Sequence, residues 1–137
     1  MSREDAQEAW VRIVDIGFNE YDKLTNDQKV WFNIEPLTTD GIIDHYVNHG
    51  AEHNKDTIDG LEFLGHRDVA DLLRDINRLF EGGLPPDDID ERNDEMQTWD
   101  GRHDELLDEI NDKYWKLNDS LEKTLHNHIS KTGIGAI

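Results

Sequence analysis

The run Gly82-Gly83-Leu84-Pro85-Pro86 constrains this chain more than any other stretch. Glycine ends helices by taking up left-handed backbone that other residues avoid, and proline lacks the amide that would continue a helix. The run holds the only Gly-Gly and the only Pro-Pro of the sequence. Helical patterns enter it from Val69, Leu72, Leu73, Ile76, Leu79 and Phe80, and leave it through Ile89, Met96 and Trp99. The spacing predicts a corner between two helices, with Asp87 or Asp88 capping the second.

Elsewhere the apolar residues also recur at three and four, the period of one helix face. Ser2 with Asp5 and Thr25 with Gln28 read as capping boxes that start the first two helices. Pro36 is expected to bend or end the second. Gly41, Gly50 and Gly65 punctuate the middle of the chain. In the second half, Leu106, Leu107, Ile110, Tyr114 and Leu117 form one stripe. Asn118-Asp119-Ser120 then reads as a turn and cap before a last helix through Leu121, Leu125, His128 and Ile129. No stretch alternates with period two, so the expected fold is all-α: about seven helices in one compact domain over residues 1–137, without a sheet. Residues 132–137 are expected to form a loose tail.

Acid dominates the composition. Thirty-two Asp and Glu against 14 Lys and Arg give a net charge of -18. Such a chain has no broad basic face for direct nucleic-acid binding and no attraction to an anionic membrane. Disorder is not implied, because the 34 Leu, Ile, Val and Phe residues can build a core. Cysteine is absent, so disulfides and thiol chemistry are excluded. The opening MSREDAQEAW lacks a basic start and an apolar run, and a cytoplasmic location is expected.

The acids are ordered. Asp87, Asp90, Glu91, Asp94 and Glu95 follow helical spacing after the corner, beside the capping Asp88. Asp100, Asp104, Asp108 and Asp112 continue at intervals of four, flanked by Glu105 and Glu109. Residues so spaced share one helix face and could offer carboxylates where a basic protein surface accepts phosphates. Only Arg92, Arg102 and Lys113 interrupt this segment. The same acids also fit a surface adapted to solubility or salt.

Other chemistry is thinly represented. His45, His49 and His53 are spaced by four, and two of them with Asp44 or Glu52 could ligate a metal on a continuous helix; Gly50 argues against one shared face. His126 and His128 would point apart on a helix. No phosphate loop, calcium loop or catalytic constellation is present, so neither a cofactor, a metal nor an enzymatic activity is expected.

Three stretches taken together resemble one family. They are DGIIDHYVNHG from Asp40, DTIDGLEFLGHRDVADLLRDINRLF from Asp56, and GGLPPDDIDERNDEM from Gly82. The last is similar to a Phe-x-Gly-Gly-x-Pro-x-Asp-x-x-x-Arg pattern. The family is a bacterial all-helical domain of unknown function that includes an acidic DNA-mimic protein. The resemblance covers about residues 24–129. It departs at Asp40-Gly41-Ile42-Ile43, where the family usually has Asn-Gly-Gly-Phe, and at His45, where Gln is common. The resemblance implies an acidic surface offered to the DNA-binding face of a basic partner, a transcription factor or nucleoid protein, and a homodimer. An accessory or immunity-type protein is the alternative reading, and a metal-dependent enzyme the third.

Overall fold

The computed structural model describes residues 3–135, and among them seven α-helices form, with no strand. In chain order these are α1 (Arg3–Asn19), α2 (Asn26–Asp40), α3 (Ile42–Val47), α4 (Asn54–Phe63), α5 (Arg67–Asn77), α6 (Ile89–Thr98) and α7 (Asp104–Thr132). Short 3-10 turns lie at Tyr21–Lys23, Gly50–His53 and Glu81–Gly83. Ser2, half of the first expected capping box, lies outside the described residues, as do Ala136 and Ile137.

Helix α2 is the centre of the fold. Four consecutive residues, Trp31, Phe32, Asn33 and Ile34, are buried, so α2 meets neighbours on several sides rather than along one stripe. It packs against α1, α3, α4 and α7. Its start is the expected box: the Thr25 hydroxyl accepts from the Gln28 amide at 3.2 Å, and the Gln28 side chain accepts from the Thr25 amide at 2.9 Å. Pro36 does not end it, and the helix runs on to Asp40. The next turn opens at Gly41, whose φ of +96° disfavours a side chain. A Cβ there would also lie 2.8 Å from Trp115, so α3 and α7 close over bare backbone.

Helix α5 buries Val69, Ala70, Leu72, Leu73, Ile76 and Asn77 against α4 and α7. The largest correction concerns the C-terminal half. The expected turn at Asn118-Asp119-Ser120 does not form, and α7 runs unbroken for 29 residues. Its stripe keeps the same spacing across this point through Tyr114, Leu121 and Leu125, all fully buried. Asn118 turns inward, its side-chain amide 2.8 Å from the Tyr114 hydroxyl, which donates to the Leu37 carbonyl at 2.6 Å. Asn118 thus serves the core, and local turn propensity loses to packing. Of the segment expected to be loose, Thr132 still belongs to α7, and Ile134 packs against the core. No helix among the described residues is long and apolar enough to cross a membrane.

Candidate protein-binding surface

The corner begins where α5 ends. Gly82 and Gly83 both take positive φ, 78° and 79°. Phe80 folds back into the core, 5.0 Å from Trp99 and 5.8 Å from Tyr46 between ring centroids. Past the buried Pro85, the Asp88 carboxylate accepts from the amides of Asp90 at 2.7 Å and Glu91 at 3.1 Å. A carboxylate there satisfies amides that the first turn leaves open and opposes the positive end of the helix dipole.

Arg92 locks the corner. It is fully buried, and its partners are carbonyl oxygens rather than carboxylates. Nε donates to Tyr46 at 3.0 Å, Nη1 to Pro86 at 3.0 Å and Asp87 at 2.7 Å, and Nη2 to Asn48. Asn93 Nδ2 adds a bond to the Val47 carbonyl at 3.2 Å. Together these side chains satisfy the open C-terminal carbonyls of α3 and fasten them to the start of α6. Burial pushes the guanidinium below its ordinary pKa, while Glu52, Asp87 and Asp88 oppose that shift. The surrounding acid therefore helps to keep this buried cation in place.

Arg92 was the residue that sequence reasoning missed. Read along the chain, it is a base diluting an acidic run. In the fold its charge points inward, and the acids around it point outward.

Of the acids singled out by spacing, Asp87, Asp88, Asp90, Glu91 and Asp94 are exposed, and Glu95 is half-buried and accepts from the Glu81 amide at 2.8 Å. Asp104, Glu105, Asp108, Glu109 and Asp112 are exposed on the first turns of α7, opposite its buried Ile110 and Tyr114. Asp100 does not join that row. It sits in the turn between α6 and α7 at a φ of 47°, followed by Gly101 at 77°. The expected row of four is therefore three on the helix, because a turn separates α6 from α7 between Trp99 and Asp104. Among the described residues, Lys113 to Glu109 at 3.2 Å is the only ion pair made by these acids. Both helices stand on α3, and Trp99 is buried between Phe80 and His103 where they meet. Trp115 is 44% exposed on the same helix as the acids.

The histidines do not converge. His45 is buried with its Nε2 3.1 Å from Asn54 Nδ2, and burial pulls its pKa down to about 3. His49 lies at the surface 2.6 Å from Glu52, and His53 stacks on Tyr21 with centroids 3.5 Å apart. Among the described residues, no group of three or more His, Asp or Glu is placed to hold a metal ion.

A family model, DMP19-like protein, matches residues 22–132. The chain belongs to the DMP19-like protein family. It is the family suggested by the three stretches. The matched span takes in the corner, α6 and all of α7, and leaves α1 outside. No curated protein and no solved structure matches the chain.

Proposed function

We propose that this protein is a DNA mimic that offers the carboxylates of α6 and the first turns of α7 to the basic DNA-binding face of a protein, such as a transcription factor or nucleoid protein. The observation that supports this reading best is the division of charge at residues 87–112. Apart from the half-buried Glu95 these acids are exposed, and among the described residues they make a single ion pair; of the two bases in the segment, Arg92 is withdrawn into the core and the exposed Arg102 bonds the Trp99 and Thr98 carbonyls rather than a carboxylate. A rigid helix holds such carboxylates at fixed spacing, so a partner's lysines and arginines meet a prearranged array. Association through such a face is fast and weakens with salt. Dimerisation would set two such faces in one particle.

The test replaces Asp104, Asp108 and Asp112 together by Asn and compares capture of DNA-binding proteins with the wild type. Captured proteins should fall away from the variant, elute from the wild type with salt, and be released by their own DNA duplex. Unchanged capture by the variant, with unchanged salt sensitivity, defeats the proposal.

A further inference from the structure

A cleft of about 460 Å³ opens between α1, α2 and the connection from α3 to α4. Its lining combines two chemistries. Phe18 and Phe32 meet edge to face at 5.5 Å, and Phe18 meets His49 in the same way at 5.6 Å. Phe18 is nonetheless 57% exposed, so one face of its ring is left to the cleft mouth and solvent. Three carboxylates also line the cleft: Asp40 at the far end of α2, Asp44, which accepts from the Asn48 side chain, and Glu52, 2.6 Å from His49. No lysine or arginine is found among the described residues of the lining. The nearby Lys29 is engaged elsewhere, with its ammonium 4.9 Å from the centroid of Tyr21.

Aromatic faces and carboxylates around one concave space suit a cation, and a guanidinium, flat and weakly hydrated, stacks on such rings more readily than an ammonium. The cleft also adjoins the acidic corner, since Asn48 in the lining accepts from Arg92 through its carbonyl. We propose that this cleft receives an arginine side chain of the basic protein partner, with the guanidinium over the Phe18 ring on the side of Asp44 and Glu52. The inference rests on the partner class proposed above. It adds a specific anchor to a face whose other contacts are long-range charge. Such an anchor is what turns a steered encounter into a held complex, because enclosed arginine and aromatic contacts dominate binding energy. The wall that supplies Phe18 belongs to α1, outside the residues that the family model matches.

The probe is the tripeptide acetyl-Gly-Arg-Gly-amide, titrated into the isotope-labelled full chain and followed by amide chemical shifts. Its neutral counterpart carries citrulline, which keeps the shape and removes the charge. Shifts should gather at Phe18, Asp44, His49 and Glu52, and the citrulline peptide should bind about tenfold more weakly. Phe18→Ala and Asp44→Asn should each weaken the arginine peptide while leaving the rest of the spectrum in place. The triple Asn variant of α7 should still bind it, so loss of partner capture in that variant leaves this result unaffected. Equal binding of citrulline overturns the inference. So do shifts confined to α6 and α7, or cleft shifts that appear on concentrating the protein alone, which would assign the cleft to a second copy.

Discussion

Arg92 shows how far a single residue can depart from its surroundings in sequence. It donates to four carbonyl oxygens, so truncation leaves the buried Tyr46 acceptor and three part-buried ones unpaired, as well as a void. Arg92→Ala is expected to cost about 3 kcal/mol or more, and Arg92→Lys a smaller but clear loss, because a point charge cannot reproduce the fork. Urea unfolding of both variants measures this; equal stability to wild type would mean that the corner does not depend on the guanidinium. His45 carries a second prediction. Its folded pKa of about 3 lies below the ordinary 6.5, so between those values the unfolded chain binds more protons. The stability it contributes is complete above pH 6.5 and is lost as pH falls toward 3. From pH 7 to pH 5 the loss is about 2 kcal/mol. His45→Gln should flatten that slope relative to wild type, read as the difference between the two proteins at each pH. Neither role was legible beforehand: sequence gives a residue's charge, and only its partners determine what that charge does.

At the scale of elements, most of the helices follow from apolar spacing and punctuation. The capping box at Thr25, the stripe of α5 and the cap at Asp88 stand where the pattern put them. Asn118-Asp119-Ser120 has the look of a cap because each of these residues favours caps when considered alone. The buried spacing from Tyr114 to Leu121 and Leu125 outweighs them, since each fully buried leucine contributes about 2 kcal/mol and a cap about 1 kcal/mol. Ser120→Ala separates the two readings by sign. In the middle of an exposed helix it should stabilise the protein by about 0.5 kcal/mol, whereas loss of a cap would cost about 1 kcal/mol. Thermal and urea unfolding report either sign directly.

For the whole molecule, the acid is a burden that the fold carries. On α7 the like-charged pairs Asp104 with Asp108, Asp108 with Asp112, and Glu105 with Glu109 each repel by roughly 0.2–0.5 kcal/mol. Asp104 and Glu105 recover part of this by lying in the first turn, where the dipole favours them. Asp108 and Asp112 lie further along, so Asp108→Asn with Asp112→Asn should raise stability by roughly 0.5–1 kcal/mol at low salt. The gain should vanish at high salt, as screening removes the repulsion from the wild type as well. A gain that persists in salt would show that something other than charge was relieved. Helix class, the corner at Gly82 and the acidic segments after it are properties of the amino-acid sequence itself, because apolar period, glycine and proline act over a few residues. The removal of Asp100 from the acid row is likewise local, a turn at Asp100-Gly101 with positive φ. The inward turn of Arg92, the continuity of α7 and the cleft beside Phe18 come from the packing of distant helices. Those depend on contacts between residues far apart in the chain, such as Tyr114 with Leu37, 77 residues away, which no local pattern encodes.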